Sequence, residues 1–208
     1  MSRGVAVLDS GVDAGHPLLR DRAQIVDGPT FTRDGLASPD GGARDKLGHG
    51  TAVAATIAAF TDSLRIHSLR VFDRDATCDF AAVLHALRHA LELDVAVVNV
   101  SLGTTSLRYR DALDQLVQQA RERSIRIVAP ASYGGLPCDP GNLAGVEAVV
   151  GDANVPPSTP ELRTHGGRLI WFASPLPPRD ADGPRRLLAR GDSLAVAAVS
   201  GCLLRQAT

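Results

Sequence analysis

The sequence has few of the residues that most often bind metals or cross-link chains. Its three cysteines, Cys78, Cys138 and Cys202, are odd in number and far apart, so they form neither a metal-binding spacing nor an evident disulfide framework. The apolar run that follows Arg3 is interrupted at Asp9, which is too early for a signal peptide. No apolar run approaches the roughly 20 residues that cross a bilayer.

Neither sign of charge dominates. Lysine and arginine together number 22 and the acidic residues 23, which gives a net charge of −1 at pH 7. This balance argues against a nucleic-acid partner and against a membrane-surface partner. The sparse cysteines indicate a reducing compartment. The sequence therefore predicts a cytoplasmic protein that uses no metal and no other cofactor.

Short apolar runs alternate with longer segments of helical character, within a length of 208 residues that suits one domain. This alternation predicts an α/β fold with a mostly parallel twisted sheet and helices on both faces. The predicted strands span residues 4–8, 24–27, 64–72, 95–100, 125–129, 146–150 and 169–172. The predicted helices span residues 47–59, 80–93, 107–123 and the segment from Ser193 onward. Surface loops are predicted at residues 28–48, 136–145, 151–165 and 173–190.

Two polar residues stand where α/β folds place functional sites. Asp9 ends the first predicted strand, and its carboxylate belongs either to a site at the sheet edge or to an Asx turn that closes the strand. His49 lies between Gly48 and Gly50 at the start of a helix of very small residues. Those glycines allow other backbone or a substrate to approach the imidazole, whereas a structural histidine more often lies among bulky side chains.

Ser193 opens the last predicted helix, directly after Gly191 and Asp192. A serine at a helix N-terminus can accept hydrogen bonds from the free N–H groups there. The same N–H groups and the helix dipole favour negative charge, which suits a nucleophile whose reaction builds an oxyanion. The alternative interpretation is the N-cap of a core helix.

The chain order Asp9, His49, Ser193 is one of the orders known for hydrolytic triads. The segments around these residues resemble the aspartate, histidine and serine motifs of the subtilisin-like (subtilase) serine peptidases, and a fourth segment resembles their substrate-binding strand. In that order, these segments are residues 7–12 with His16 and Pro17, residues 49–54, residues 191–195 with 199–201, and residues 99–103. The resemblance implies a minimal subtilisin-like three-layer sandwich. It implies a single domain over residues 1–208, truncated and divergent, without the family's usual N- and C-terminal extensions.

The resemblance also implies a mechanism and a substrate class. Ser193 would attack a carbonyl group, His49 would act as base and then acid, and Asp9 would orient the imidazole. Substrate would pair by strand addition with Ser101, Leu102 and Gly103. The implied partner is a peptide or protein. The implied function is a serine endopeptidase, with a dedicated role in processing or in the maturation of a biosynthetic peptide.

Three positions depart from the family pattern. Tyr133 stands where the family has the asparagine that donates to the oxyanion. Its hydroxyl or that of Ser132 is a candidate replacement donor, and the alternative is that the Tyr133 side chain fills the oxyanion hole. Asp192 replaces a threonine beside the nucleophile, where its charge disfavours an oxyanion unless the side chain turns away, pairs with Arg190 or is protonated. Ala197 replaces a proline, a mild change in a helix.

These departures leave three interpretations open. The first is an active endopeptidase that hydrolyses peptides or transfers the acyl group to an amine. The second is a catalytically impaired module that binds a peptide or partner protein without cleaving it. The third is an esterase or other small-molecule hydrolase with the same triad. The trimmed ends further predict exposed apolar surface that a protein partner or a homo-oligomer would cover.

Overall fold

The computed structural model describes residues 4–38, 45, 47–61, 63–72, 77–177 and 191–206. Most of the loop predicted at residues 173–190 therefore lies outside the described residues. In the described part, the strands are β1 (Gly4–Asp9), β2 (Ala23–Thr32), β3 (Gly35–Ser38), β4 (Leu64–Arg70), β5 (Val95–Val100), β6 (Arg126–Pro130), β7 (Ser132–Tyr133), β8 (Leu136–Pro137), β9 (Glu147–Gly151), β10 (Glu161–His165) and β11 (Arg168–Ala173). The α-helices are α1 (His49–Ala58), α2 (Phe80–Ala90), α3 (Arg110–Glu122) and α4 (Asp192–Gln206).

One sheet of nine strands organises the described part of the chain, in the order β10-β11-β9-β6-β5-β1-β4-β2-β3. The seven inner strands run parallel, and β10 and β3 pair antiparallel at the two edges. Helices cover both faces, which confirms the predicted α/β architecture. Side chains of β1 alternate between the layers: Val5 and Val7 pack with α1 and α4, whereas Ala6 and Leu8 pack with α2 and α3.

Helices α1 and α4 lie against each other on the same face of the sheet, and small residues allow their close approach. A Cβ atom at Gly201 of α4 would lie 2.8 Å from the carbonyl oxygen of Ile57 and 2.8 Å from the ring of Phe60, so only glycine fits there. Residues 194–204 of α4 are all buried. Among the described residues, no helix combines the length and the hydropathy needed to cross a membrane.

Three of the predicted loops contain strands, and in residues 136–145 this is only the two-residue β8. Residues 28–48 were predicted as loop, but β2 continues to Thr32 and turns back as β3, with Phe31 buried under the hairpin. Residues 151–165 were predicted as loop, but β10 occupies Glu161–His165. Both segments lie at sheet edges, where one side of the strand is exposed and polar residues are tolerated, so the sequence lacks the apolar run that marks the inner strands.

Candidate active site

The candidate site residues predicted from the sequence lie close together at the C-terminal ends of adjacent parallel strands. Strand β1 ends at Asp9, and its neighbour β5 is followed directly by Ser101. On the other side of β5, β6 leads into Ser132. Helices α1 and α4 also begin at this end of the strands. His49 and Ser193 lie in the first turns of these two helices.

Asp9 and His49 form a hydrogen-bonded pair. The imidazole Nδ1 lies 2.7 Å from Oδ1 of Asp9, and the backbone N–H of Ser10 donates to the same oxygen at 2.7 Å. Asp9 is fully buried, and in the described part of the chain its Oδ2 has no hydrogen-bond partner. The hydrogen bond to Asp9 raises the pKa of His49 above its usual value, and burial offsets this only in part.

Gly50 explains how the start of α1 comes so close to Asp9. A Cβ atom at position 50 would collide with the carbonyl oxygen of Gly11 and would lie 3.1 Å from both Cβ and Oδ1 of Asp9. Because Gly50 has no side chain, the loop that follows Asp9 can pack directly against the start of α1. Gly48 on the other side of His49 has a φ of 74°, a left-handed conformation that favours glycine at the helix N-cap.

Ser193 lies in the first turn of α4 and is half-buried. Its hydroxyl donates to the backbone carbonyl of Ser101 at 3.1 Å, and no hydrogen bond joins the described atoms of Ser193 and His49. Both side chains line the same cavity, of about 600 Å³. The structure thus brings Asp9 and His49 into contact and places Ser193 in the same cavity without a direct hydrogen bond to the imidazole.

Apolar side chains from several segments line the rest of this cavity, among them Phe72, Phe80, Leu102 and Pro130. The volume and the lining are typical of a site that holds an organic ligand. Gly103 forms part of the wall, and the Sγ of Cys138 packs directly behind it, so a side chain at position 103 would not fit. Ser101, Leu102 and Gly103 therefore all line this cavity, and their role in binding substrate stays a prediction.

The two candidate oxyanion donors lie on the opposite wall. Ser132 and Tyr133 form β7, which pairs with β8 in a short hairpin at the rim of the cavity. Tyr133 is 70% exposed, whereas Ser132 is half-buried. In the described residues neither hydroxyl has a hydrogen-bond partner, so both remain available to a bound group.

The carboxylate of Asp192 is exposed and packs against Gly151 at the end of β9, where any side chain would collide with it. The residue also lines the cavity beside Ser193. Of the three ways in which its charge could be tolerated, pairing with Arg190 falls on a residue outside the described part of the chain. The contact with Gly151 is consistent with the side chain turning toward the end of β9.

A buried polar network joins helix α4, which begins with Asp192 and Ser193, to the end of β5. Asn99, fully buried at the end of β5, donates its amide N–H to the Oγ of Ser101 at 2.7 Å. Its carbonyl oxygen accepts from the hydroxyl of Ser200 in α4, at 3.0 Å. Asn99 and Ser200 lie within the segments that resemble the family's substrate-binding strand and serine motif, but the sequence predicted no role for either side chain. A polar residue inside an otherwise apolar strand or helix was the available signal, since buried polar groups need partners.

Neither cysteine near the cavity is set up as a nucleophile. Burial, aided by Asp79, raises the pKa of Cys78 to about 11, and burial, aided by Asp139, raises that of Cys138 to about 11. Both thiols are therefore protonated at neutral pH and react weakly. Within the described residues, no group of three or more His, Cys, Asp or Glu side chains is arranged to hold a metal ion.

The fold and the site together define a class: an α/β protein with Asp, His and Ser in this chain order around one cavity at the sheet edge. The profile of Peptidase_S8, the Subtilase family, matches residues 3–136. The chain belongs to this family, as its motifs predicted. The matched region includes Asp9, His49 and Ser101 and ends before Ser193.

Curated relatives align with a similar part of the chain. A thermostable alkaline protease of Halalkalibacterium halodurans is 33% identical over 140 residues, which cover 63% of this chain and 36% of that protein. An intracellular serine protease of Paenibacillus polymyxa is 33% identical over 108 residues, which cover 48% of this chain and 32% of that protein. The aligned region thus spans about a third of each relative's length.

Solved structures match nearly the whole chain. A cold-adapted subtilisin-like serine proteinase superposes with a TM-score of 0.71 at 20% identity, covering 97% of this chain and 73% of that one. The prenylagaramide maturation protease PagA superposes with a TM-score of 0.69 at 21% identity, covering 98% and 74%. A lanthipeptide protease gives 0.69 at 20% identity, covering 97% and 72%. These likenesses confirm the predicted subtilisin-like fold.

Proposed function

We propose that this chain is a subtilisin-type serine endopeptidase that cleaves a peptide or protein through an acyl-enzyme. Ser193 is the nucleophile, His49 the general base and acid, and Asp9 the residue that orients the imidazole. The observation that carries this proposal is the 2.7 Å contact between the fully buried Asp9 and His49, beside a cavity that Ser193 also lines.

The chemistry follows from the proton positions. The proton on Nδ1 of His49 is held by Asp9, so Nε2 carries the lone pair and takes the hydroxyl proton of Ser193 as Oγ attacks the substrate carbonyl. The protonated imidazole then gives this proton to the leaving amine, and water hydrolyses the ester. The raised pKa of His49 makes it a stronger base. The hydroxyl of Ser193 must first leave the Ser101 carbonyl, which is consistent with catalytic hydrogen bonds that tighten only around substrate.

The oxyanion that forms in this step needs donors. The backbone N–H of Ser193, in the first turn of α4, is one, and the helix dipole reinforces it. Tyr133 supplies the second donor through its exposed hydroxyl at the cavity rim. Ser132, on the same hairpin, is the alternative donor.

The substrate class is an extended peptide. Ser101, Leu102 and Gly103 line the cavity and offer backbone groups for strand addition, and the apolar lining favours apolar side chains. Two structural neighbours are by name proteases of peptide maturation or of lanthipeptides. They support a dedicated processing role for this chain. An intracellular relative supports a cytoplasmic setting.

The proposal is tested with a fluorophosphonate probe, which labels activated serines. We expect the purified protein to be labelled and Ser193→Ala to show no labelling, because the reactive oxygen is gone. Ser106→Ala, which removes an exposed hydroxyl at the start of a 3-10 turn, is the matched control and should label like the parent.

An unlabelled parent protein that is folded would contradict the proposal and favour a module that binds without cleaving. Labelling that persists in Ser193→Ala would assign the nucleophile elsewhere. Because an esterase would also be labelled, the labelled protein is then assayed with a matched peptide amide and ester. Turnover of the ester without any cleavage of the amide would rule out a peptidase.

The role of Tyr133 has its own test. We expect Tyr133→Phe to lower kcat by roughly 10²-fold with little change in KM, because an oxyanion donor acts only in the transition state; the magnitude is borrowed from loss of the oxyanion donor in subtilisin, a member of this family. Steady-state kinetics on a peptide substrate measure both constants. Ser132→Ala serves as the comparison, and a loss confined to that variant would transfer the role to Ser132.

A further inference from the structure

Asp45 lies just before α1 and accepts five hydrogen bonds. Its Oδ1 accepts from the Ser10 hydroxyl at 2.8 Å and from the backbone N–H groups of Leu47 and Gly48 at 3.0 and 2.8 Å. Its Oδ2 accepts from the backbone N–H and the hydroxyl of Thr51, at 2.8 and 2.6 Å. Few surface carboxylates are so fully used, which points to a role in holding these segments together.

The partners of Asp45 belong to the two segments that carry Asp9 and His49. The Oγ of Ser10, next to Asp9, also accepts from the backbone N–H of Gly50 at 3.0 Å. The Oγ1 of Thr51 likewise accepts from the backbone N–H of Asp13 at 3.0 Å. One carboxylate thus sits at the centre of a network that joins the loop after β1 to the first turn of α1.

The N-terminus of helix α1 has no capping side chain of its own. Its N-cap is Gly48, which has no side chain to accept a hydrogen bond, and its first turn contains no acidic residue. A carboxylate three residues before the cap satisfies free N–H groups and meets the positive end of the helix dipole. A helix start held in this way fixes the backbone of His49.

We propose that Asp45 is a positioning residue for the Asp9–His49 pair, because it locks the helix start that carries the imidazole onto the loop that follows the orienting carboxylate. That this positioning serves catalysis rests on the proposed function, whereas the effect of Asp45 on the Asp9–His49 contact does not. A misplacement of the imidazole by a fraction of an ångström would weaken its contact with Asp9 and its reach toward Ser193.

The charge of Asp45 acts in the same direction. Burial raises the pKa of Asp45, but hydrogen bonds from Thr51, Ser10 and Gly48 outweigh burial and hold it below the usual value, so the group is ionised at neutral pH. After Asp9, Asp45 is the second negative charge that raises the pKa of His49. In the part of the chain that the structure describes, the other titratable groups that line the cavity with His49 are Cys78 before α2, Tyr133 on β7 and Asp192 at the start of α4.

The test is Asp45→Asn, which keeps the shape of the side chain and removes its charge. We expect kcat to fall roughly tenfold or more, because amide N–H groups would now face backbone N–H groups. The acidic limb of the kcat/KM profile should move to lower pH by about half a unit, because His49 loses a neighbouring negative charge and deprotonates at lower pH. A purely structural role would reduce the folded fraction without moving that limb.

Asp79→Asn is the matched control, since Asp79 caps α2 by accepting from the N–H of Ala81 at 2.9 Å. It should cost a similar amount of helix stability and leave the limb in place. An unchanged kcat and an unchanged limb in folded Asp45→Asn would overturn the proposal, as would an equal shift in Asp79→Asn. If Asp45→Asn does not fold, Ser10→Ala removes the hydroxyl that joins the loop after β1 to Asp45 and Gly50, leaves the bonds of Asp45 to Leu47, Gly48 and Thr51 in place, and must lower kcat in the same way.

The pKa of the His49 imidazole, measured by NMR titration, tests the role of Asp45 independently of the proposed function. A lower pKa of His49 in Asp45→Asn than in the parent supports the positioning role even in a protein that no fluorophosphonate labels. Equal values in the two proteins would reject the electrostatic part of the role, even if the parent is an active peptidase.

Discussion

Asp9→Asn should lower kcat by roughly 10⁴-fold with little change in KM. An amide at this position can donate from its N–H₂ group to Nδ1 of His49, so that the imidazole proton moves to Nε2, which then cannot accept the hydroxyl proton of Ser193. The 2.7 Å contact makes Oδ1 of Asp9 the hydrogen-bond partner that sets which nitrogen of the imidazole carries the proton. The magnitude is borrowed from triad aspartates in known serine proteases, including subtilisin of the same family.

Steady-state kinetics on a peptide amide, together with circular dichroism, measure the effect on a folded protein. The variant should fold, because the substitution removes a fully buried charge and keeps the side-chain volume. Asp13→Asn is the control: Asp13 is exposed in the same loop and its side chain accepts only the N–H of Gly15 among the described residues. A folded Asp9→Asn protein within tenfold of the parent would show that the Asp9–His49 contact does not serve catalysis.

Gly50→Ala should be the second most damaging of these substitutions. Its new methyl group would collide with the carbonyl oxygen of Gly11 and would lie 3.1 Å from Asp9, so the start of α1 must move away from β1. We expect kcat to fall roughly 10²-fold, because His49 moves with the helix start. The free energy of unfolding should fall by about 1–3 kcal/mol, which is the usual cost of overpacking a core.

Chemical denaturation and kinetics at fixed temperature separate the two effects. Gly15→Ala is the matched control, since its Cβ would meet only the flexible side-chain oxygen of Asp13, at 3.3 Å. If Gly50→Ala had the parent's free energy of unfolding and kcat, the loop after Asp9 would have moved aside for the methyl group with no loss of stability or activity. A loss of stability with unchanged kcat in the folded protein would show that the helix start tolerates a shift.

The sequence was sufficient for the inner part of the fold because buried parallel strands are continuously apolar. Residues 4–8 and 95–100 were recognisable for this reason, and they became β1 and β5. Strand β10 was not recognisable, because four of its five side chains are charged or polar and even Leu162 is exposed at the sheet edge. The pairing of such an edge strand depends on its neighbour β11, which no local pattern encodes.

The candidate site was predictable to the same extent. Asp9, His49 and Ser193 stand at strand ends and helix starts that a motif marks. Asp45 escaped notice because its partner Ser10 is 35 residues away, and the bond between them exists only after β1 and α1 have docked. The hydrogen bond that the Ser193 hydroxyl donates to the Ser101 carbonyl instead of to His49 was equally unpredictable, since Ser101 directly follows β5 and lies 92 residues from Ser193 in the chain.

The contact of Gly201 with Ile57 has a consequence for how new specificities arise. It lies eight residues beyond Ser193, about 12 Å along α4, where α4 packs closely against α1. The first turns of these two helices hold Ser193 and His49. The hairpin of β7 and β8 borders the same cavity but belongs to neither helix. Substitutions at its exposed residue Leu136 can therefore change the border of the cavity without changing the packing that sets where Ser193 and His49 lie.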